Sequence, residues 1–555
     1  MTPKRSDGGA ARVALLLLLL LAAAVRIYWG TRTRVVWGDE PFYLWLGRSL
    51  LSGDGYQFFG ISGVHFSPLF PLLADLLGRA APGVPAAGSL ALYVACGSLL
   101  LLPVYAIAWR LAGERAAIAA ATAAAFLPAL TSGIPRWGTM TEPLYLLLIA
   151  AAWWALLVGL QDGRGWPDLA AGAFLGLAYL TRTEALAPAA AGLSTLFLLR
   201  CWGGPGFRRA GLGLAAGVAA FALVIFPYLW LLHGETGSWQ LAEEAGSTYV
   251  SAQGLARGDV AAFDRATWGL DPASGEVYLF SPTSESQGLA GAILSDPRTF
   301  LQLLRLNIAD LGRTVSGIRL VPLPLLALVA LGLFAPPWDA GRLRGELLLA
   351  SSLTGALAFL PFFIQDRYLA TALIPAAVWI GEGTAWLGHW LATSWAAIRP
   401  GRARPAPDAF ARLSPGEGSL LLFVPTVILA VGLLLAQPSL HAVLGRTRSF
   451  RPSHLAAAAL LARVSDPEAV VLSRFPAIAY HAGRAWAPTP AASWPEVADY
   501  ARRKGAGYLA VDPWELDLRP ELAALGDPAT APSGLTALGK VGSGDDRVLL
   551  YAIDR

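Results

Sequence analysis

Long apolar stretches recur along the first 437 residues, and they restrict the chain to folds that a membrane permits. A helix needs about 20 mostly apolar residues to cross a bilayer. Only 14% of the 555 residues are charged, whereas soluble domains contain about 25%. The sequence therefore predicts an α-helical polytopic membrane protein with about eleven transmembrane helices. They are expected near 11–29, 88–110, 115–131, 141–160, 168–181, 184–200, 210–232, 320–335, 345–364, 368–390 and 418–437.

The first apolar stretch is expected to stay in place as a transmembrane helix. It follows Lys4, Arg5 and Arg12, as the apolar part of a signal peptide would. However, no convincing small-x-small cleavage site precedes Arg26, and further apolar stretches follow. We therefore interpret it as an uncleaved first helix.

The distribution of Lys and Arg predicts the orientation, because basic residues favour cytoplasmic loops. With the N-terminus in the cytoplasm, the inner loops hold Arg110, Arg115, Arg164, Arg200, Arg208, Arg209, Arg342, Arg344, Arg399, Arg402, Arg404 and Arg412. The outer side then receives loops 30–87 and 233–319, and also the C-terminal part. The second of these loops ends in an amphipathic segment, Phe300 to Leu311, that is expected to lie in the interface.

The composition changes after residue 437 to that of a soluble domain. Residues 469–473 and 507–511 read as buried strands, and residues 495–504 read as a helix between them. We therefore divide the chain into a transmembrane domain, 1–437, and a small extracytoplasmic α/β domain, 438–555.

Several classes of protein do not fit this sequence. Cys96 and Cys201 fall in or beside apolar segments on opposite sides of the predicted topology, so neither a disulfide framework nor a cysteine metal site is expected. The chain has no phosphate-binding Gly-rich loop with Lys, no zinc-spaced Cys/His set and no nucleophile elbow. An ATP-driven pump is thus not expected. The net charge of +4 is small, and its placement in short loops reports orientation rather than a nucleic-acid partner.

Adjacent carboxylates, Asp39 and Glu40, follow Trp37-Gly38 in the first outer loop. Neighbouring side chains on a turning backbone diverge, so the two acids need not share one task. One acid can take a proton from an attacking hydroxyl while the other binds a metal or orients a substrate. The alternative is a solvated pair at a helix start, with Glu40-Pro41 in the first turn.

Two further outer residues are candidates for the same site. His65, in Gly63-Val64-His65-Phe66-Ser67-Pro68, is a candidate metal or phosphate ligand or a structural interfacial histidine. Glu142 begins the fourth predicted helix after Thr141, a candidate N-cap. It is either a second acid that faces the first, or an acid that complements the helix dipole or pairs with Arg136.

Charged residues at the membrane edge complete the candidates, because charges there are costly and usually paired or functional. Arg182 and Glu184 interrupt one long apolar stretch, so they either pair with each other in a turn or meet a phosphate, which a guanidinium fork matches. Arg367 and Tyr368 link two predicted helices on the outer side. They either bind a phosphate leaving group or serve as a snorkelling arginine and an interfacial tyrosine.

Taken in order, these motifs resemble those of the polytopic GT-C glycosyltransferases, in particular the bacterial group related to protein O-mannosyltransferases and aminoarabinose transferases. The resemblance covers about residues 10–390. It rests on Asp39-Glu40, His65-Phe66-Ser67-Pro68-Leu69, Met140-Thr141-Glu142-Pro143-Leu144, Gly176-Leu177-Ala178-Tyr179-Leu180-Thr181-Arg182-Thr183-Glu184 and Asp366-Arg367-Tyr368-Leu369.

The resemblance implies a sugar donor carried on a polyprenyl phosphate and an acceptor hydroxyl on a lipid, a glycan or a protein, met at the outer face of a bacterial inner (plasma) membrane. It implies Asp39 as catalytic base with Glu40 beside it. Glu142 matches a second acid, although many relatives have Asp near that place. Arg182 and Arg367, with Tyr368, match donor-phosphate positions, and His65 and Glu184 are candidate substrate contacts. Members of this family differ in metal use, so a divalent cation stays open.

Two other functions compete with this interpretation. A transporter or lipid flippase would also have many helices, but it predicts acids and broken helices near the midplane, often in two related halves. The sequence has no such internal repeat, and its charged motifs gather on one face. A non-catalytic envelope assembly protein would place no demand on Asp39.

Overall fold

The computed structural model describes residues 9–84, 86–203, 206–241, 244–272, 274–277, 279, 288–316, 320–398, 419–444 and 451–554. The predicted loop arginines Arg399, Arg402, Arg404 and Arg412 lie outside the described residues. Eleven helices form the first part of the described chain: α1 (Gly9–Thr33), α2 (Glu40–Ser52), α3 (Leu69–Gly78), α4 (Ala87–Leu99), α5 (Leu101–Ala112), α6 (Glu114–Phe126), α7 (Ile134–Trp137), α8 (Glu142–Asp162), α9 (Trp166–Tyr179), α10 (Leu186–Gly203) and α11 (Phe207–Thr236).

The described part of the chain contains nine more helices before the C-terminal domain. They are α12 (Glu244–Ala256), α13 (Ala262–Trp268), α14 (Gly288–Ser295), α15 (Pro297–Ser316), α16 (Leu323–Phe334), α17 (Ala340–Ala350), α18 (Thr354–Leu357), α19 (Leu373–Ile398) and α20 (Ser419–Leu444). Within the described residues, five helical segments are long and apolar enough to cross a membrane: Gly9–Thr33, Ala87–Ala112, Glu142–Asp162, Thr183–Gly203 and Phe207–Thr236. The chain is thus a helical polytopic membrane protein, as predicted.

The helices overlap the predicted apolar stretches but do not match all of their bounds: α6, for example, ends at Phe126 and not near residue 131. The stretch 345–364 is not one helix, because α17 ends at Ala350 and is followed by a 3₁₀ turn and the four-residue α18. The stretch 88–110 is divided at Leu100. Pro103 explains that division, since it has no N–H to donate to the carbonyl of Leu99.

The centre of the membrane part is built on small side chains. Every alanine of α6 is buried, and α19 lies so close that a Cβ on Gly381 would come within 2.4 Å of the Ala116 carbonyl oxygen. Such contacts let helix backbones approach closely in a bilayer. The buried Arg26 of α1 closes the far end of α6, donating to the carbonyls of Ala124 and Ala125 at 3.2 and 3.1 Å. These carbonyls lie in the last turn of α6, which has no further helical N–H to bond them.

The C-terminal domain is a mixed five-stranded sheet with short helices, and this confirms the predicted α/β character. Its strands are β3 (Val470–Ser473), β4 (Ala485–Ala487), β5 (Ala506–Val511), β6 (Leu535–Ser543) and β7 (Asp546–Ile553), in the order β4-β3-β5-β7-β6. Strands β4, β3 and β5 are parallel, whereas β7 is antiparallel to β5 and β6. Its helices are α21 (Pro452–Val464), α22 (Pro476–Ala482), α23 (Trp494–Arg503) and α24 (Pro513–Leu518). The two predicted strands and the predicted helix correspond to β3, β5 and α23.

This domain packs on loops 30–87 and 233–319 of the membrane part. Phe42 of α2 and Phe58 of the short hairpin β1 (Gln57–Phe58) and β2 (Ile61–Ser62) contact Trp486, with ring centroids 5.2 and 6.2 Å apart. Asp264 of α13 accepts hydrogen bonds from both Arg474 and Arg519 of the domain, and all three side chains are largely buried. Burial acts to raise the pKa of Asp264, but the two arginines outweigh it and lower that pKa.

Candidate active site

Two Trp-Gly segments meet backbone to backbone and fix the position of Asp39. The N–H groups of Asp39 and Glu40 both donate to the carbonyl of Gly138, each at 3.0 Å. Gly38 and Gly138 have φ of 62° and 73°, and a Cβ on Gly138 would lie 2.7 Å from the ring of Trp37. Only glycine accommodates both the left-handed backbone and this contact. The loop that carries Asp39 is therefore clamped to the segment that begins α8.

The carboxylate of Asp39 is available for chemistry. Asp39 occupies the N-cap position of α2, yet its side chain makes no capping hydrogen bond. Its side chain is 40% exposed and accepts from Nη1 of Arg367 at 3.3 Å. The carboxylate is thus oriented by one arginine and remains open to solvent.

Arg367 and Tyr368 stand at the start of a 3₁₀ turn, Asp366–Ala372, that leads into α19. Arg367 donates to the hydroxyl of Tyr368 at 2.9 Å and to Oε1 of Gln365 at 3.1 Å. The ring of Tyr368 stacks on Phe359 with centroids 4.3 Å apart. This packing fixes the tyrosine and, through it, the guanidinium that faces Asp39.

Arg182 holds the second half of the cluster. Its Nη1 donates to Oε1 of Glu142 at 2.9 Å and to the hydroxyl of Thr141 at 3.0 Å, and its Nε donates to Glu184. The Arg182 guanidinium lies 6.0 Å from the ring centre of Tyr368, and the Arg367 guanidinium lies 4.8 Å from it. Tyr368 therefore joins the two arginines. We call the set Asp39, Glu142, Arg182, Glu184, Arg367 and Tyr368 the Asp39 cluster.

The sequence motif that precedes α3 serves to hold Arg182 in place. The Ser67 hydroxyl donates to the carbonyl of Tyr179 at 3.1 Å, and the Leu69 N–H donates to that of Leu180 at 2.8 Å. Both acceptors lie at the end of α9, just before Arg182. In the same loop, burial lowers the pKa of His65 to about 4, so its imidazole is neutral at pH 7.

Glu40 lies apart from the Asp39 cluster. It is 1% exposed, forms an ion pair with Arg34 and accepts from the hydroxyl of Ser89 at 2.6 Å. Glu40 and Pro41 are the first residues of α2. This agrees with the alternative prediction, in which the acid pair stands at the start of a helix. The neighbouring acids of the motif thus face different partners.

Some contacts differ from the sequence predictions or were not foreseen. Thr141 occupies the N-cap position of α8 without a side-chain cap, because its hydroxyl accepts from Arg182 instead. The ion-pair partner of Glu142 is Arg182, and a short hydrogen bond from the Thr139 hydroxyl reaches the same oxygen. The predicted Arg182–Glu184 pair is present as well. Thr139 directly precedes the Met140-Thr141-Glu142 motif, and no local pattern assigns its partner.

The Asp39 cluster joins two arginines with three acids. Asp39, Glu142 and Glu184 each accept from an arginine. Within the described ranges, no group of three or more His, Cys, Asp or Glu side chains is arranged to hold a metal ion. Arginine forks instead match phosphate oxygens.

A large cleft of about 1050 Å³ lies on another side of α2, between loop 30–87 and the C-terminal domain. Its walls combine aromatic and charged side chains, including Trp45, Arg48, Phe59 and Tyr480. The residues of the Asp39 cluster do not line it.

Comparison with known proteins agrees with this architecture. The sequence model of a family described as dolichyl-phosphate-mannose-protein mannosyltransferase matches residues 67–230. The crystal structure of ArnT from Cupriavidus metallidurans bound to undecaprenyl phosphate is similar, with a TM-score of 0.60 at 15% identity over 99% of this chain and 98% of that one. The chain has the GT-C fold.

The GT-C fold is also seen in the oligosaccharyltransferase of Archaeoglobus fulgidus. Its apo crystal structure has a TM-score of 0.57 at 14% identity and covers 97% of this chain and 75% of that one. Its complex with an inhibitory peptide and a dolichol-phosphate has a TM-score of 0.55 at 14% identity, with the same coverage. No curated protein sequence matches. The GT-C resemblance predicted from the motifs is confirmed.

Proposed function

We propose that this protein is a membrane glycosyltransferase that moves a sugar from a polyprenyl-phosphate donor to an acceptor hydroxyl at the outer face of the membrane. The observation that carries the proposal is the pairing of the open carboxylate of Asp39 with Arg367, 3.3 Å away. A base and an anion-binding group stand side by side there, as glycosyl transfer from a phosphate requires.

The arginines and the fold support the proposed donor class. ArnT was crystallised with undecaprenyl phosphate, and the archaeal oligosaccharyltransferase complex contains a dolichol-phosphate. In this chain, Arg182 and Arg367 flank Tyr368 and supply two guanidinium groups for the phosphate. Glu142, Glu184 and Thr141 hold Arg182 in place.

The proposed reaction is a single displacement. Asp39 takes the proton of the acceptor hydroxyl, and the hydroxyl oxygen forms a bond to the anomeric carbon. The bond from that carbon to the phosphate oxygen breaks, and its electron pair leaves with the polyprenyl phosphate. Arg367 and Arg182 stabilise the negative charge of the leaving group. Attack opposite to the leaving group inverts the anomeric configuration.

The remaining candidate residues receive supporting roles. Glu40, buried on Arg34, anchors the start of α2 and thereby the backbone of Asp39. His65 is assigned to substrate binding as a neutral imidazole. No step uses a metal, because the acids face arginines.

The acceptor is proposed to approach through the cleft beside the C-terminal domain. Trp45 lies six residues after Asp39 on α2, which corresponds to about 9 Å along the helix. The acceptor is a lipid, a glycan or a protein. Arg48→Gln is expected to raise the KM for the acceptor several-fold and to leave the KM for the donor unchanged. Equal KM values for both substrates in R48Q and wild type would remove the cleft from the acceptor path.

The test of the function is transfer of radiolabelled sugar from polyprenyl-phosphate donors in membranes that contain wild type or Asp39→Asn. Asparagine keeps the shape of the side chain but does not accept the proton, so insertion should be unchanged and transfer should be lost. Asp310→Asn, at an exposed acid of α15, is the control and should transfer normally. Full transfer by D39N would exclude Asp39 as the base, and no transfer from any donor by well-inserted wild type would favour a transporter or an assembly protein.

A further inference from the structure

A second cavity, of about 600 Å³, lies at the far end of α8 from the Asp39 cluster. Glu142 begins α8, and Gly159, Leu160 and Gln161 near its end line the cavity. The 17 residues from Glu142 to Gly159 span about 25 Å at 1.5 Å per residue. The hydrocarbon core of a bilayer is about 30 Å thick. The cavity and the Asp39 cluster therefore belong to opposite faces of the membrane.

The walls of this cavity are strongly basic. They contain four arginines and one acid: Arg164, Arg200, Arg209, Arg344 and Asp168. Asp168 is already neutralised, since Arg200 donates to both of its oxygens, at 2.8 and 2.9 Å. Three arginines thus remain without a balancing acid among the residues that line the cavity. We call this space the arginine cavity.

The buried pair of Arg200 and Asp168 gives the cavity a rigid floor. Arg200 also donates to the Gly159 carbonyl at 2.7 Å, and both charged side chains are almost fully buried. A Cβ on Gly213 would lie 2.3 Å from Nη1 of Arg200 and 2.5 Å from Oδ2 of Asp168. Glycine at this position is what lets α11 pack against the pair.

The other arginines differ in how far they are engaged. Arg344 donates to the carbonyls of Ala340 and Gly203 at 3.1 and 3.0 Å, which directs its guanidinium to the cavity wall. Arg209 is exposed and, among the described residues, has no hydrogen bond or ion pair. Arg200 and Arg344 are therefore held in place, whereas Arg209 is free to move towards a ligand in the cavity.

The arginine cavity adjoins a lipid-facing surface. Leu212, which lines it, is 64% exposed, and Val218 and Leu223 continue this exposed apolar surface along α11. Trp202 and Phe207, at the same end of the membrane part, are 66% and 76% exposed, as expected for an aromatic belt at an interface. A headgroup in the cavity would thus have its acyl chains beside α11.

We propose that the arginine cavity binds the phosphate-bearing headgroup of an anionic phospholipid. Guanidinium groups bind phosphate oxygens in pairs, and basic pockets between transmembrane helices on the cytoplasmic side hold anionic headgroups. The exposed apolar surface beside the cavity favours a lipid over a soluble phosphate. This site is separate from glycosyl transfer, and its test does not depend on that activity.

The test is binding of phosphatidylglycerol to the purified full-length protein in detergent, measured by native mass spectrometry. Arg209→Gln is expected to weaken binding about fivefold, the contribution of one basic side chain to an anionic lipid surface. The adjacent Arg208→Gln is the matched control, because Arg208 is also exposed but does not line the cavity. It should bind as wild type does.

Two further arms identify the ligand class. Phosphatidylcholine should bind wild type and R209Q equally, because its headgroup carries no net charge. Inorganic phosphate at millimolar concentration should leave bound phosphatidylglycerol in place. Displacement of the lipid by inorganic phosphate would overturn the lipid assignment in favour of a free-phosphate site. Equal losses in R208Q and R209Q would overturn the site itself, since the loss would then reflect surface charge alone.

Discussion

The N–H of Asp39 donates to the carbonyl of Gly138 at 3.0 Å, so the loop that carries the proposed base and the segment that begins α8 form one unit. Glu142, four residues after Gly138, meets Arg182 in the same unit. Backbone contacts therefore fix Asp39 relative to the start of α8, and side-chain ion pairs connect this unit to Arg182 and Arg367.

Gly138→Ala is expected to reduce sugar transfer about 100-fold, the effect of a displacement of about 1 Å at a reacting group. The new Cβ would lie 2.7 Å from the Trp37 ring and would push the loop of Asp39 away. The measurement is kcat for transfer in detergent-solubilised enzyme. Gly237→Ala is the control, because Gly237 has φ of 72° but no atom within 4 Å of its Cβ position. Equal losses in both variants would show that backbone strain alone is responsible.

Arg182→Lys should lower kcat/KM for the donor about 10- to 100-fold, even though the charge is kept. A lysine ammonium cannot bond Glu142, Thr141 and Glu184 with the geometry that one guanidinium provides. Arg110→Lys, at a partly exposed pair with Asp162, should leave the kinetics unchanged. A fully active R182K would mean that only charge is required at this position.

Asp264→Asn is expected to lower the free energy of unfolding of the C-terminal domain by about 3 kcal/mol, because Arg474 and Arg519 would lose a buried counter-charge. The measurement is chemical denaturation followed by the fluorescence of the domain. Asp259→Asn, in an exposed pair with Arg265, should have little effect. If D264N is as stable as wild type, the contact of Asp264 with the two arginines positions the domain but does not stabilise it.

The pH dependence of stability should contain a contribution from His65. Its pKa is lowered to about 4 in the folded chain, against an ordinary value of 6.5. The unfolded chain therefore binds the proton first as the pH falls, and stability contributed by the neutral imidazole is lost from about pH 6.5 down to about pH 4. His65→Gln should show a smaller fall in Tm between pH 7 and pH 5 than wild type does. The same fall in both proteins would show that other groups account for it.

The sequence predicted the membrane architecture well because apolar length and charge placement are local properties. Short sequence patterns predict the break at Arg182, the start of α2 at Glu40, and the strands β3 and β5. The strands β6 and β7 were missed: β6 mixes polar and apolar side chains, and β7, although mostly apolar, is the second strand of the same hairpin.

Short patterns do not predict which residues that are distant in the chain contact each other. Asp39 and Arg367 stand 328 residues apart, and the contact of Gly38 with Gly138 joins two segments that are 100 residues apart in the chain. The sequence predicts Thr141 as a helix N-cap, but its hydroxyl accepts a hydrogen bond from Arg182, 41 residues later in the chain. Local chemistry identified the candidates, and only the fold assigned their partners.

The separation of Asp39 from Arg367 has a consequence for synthesis. Asp39 leaves the ribosome 328 residues before Arg367. At about 5–20 residues per second, this interval lasts roughly 15 to 65 s. During that time the loop that carries Asp39 can be made and clamped on Gly138, yet the guanidinium that faces its carboxylate does not exist. The pair of Asp39 and Arg367 can therefore form only after most of the membrane part has been made.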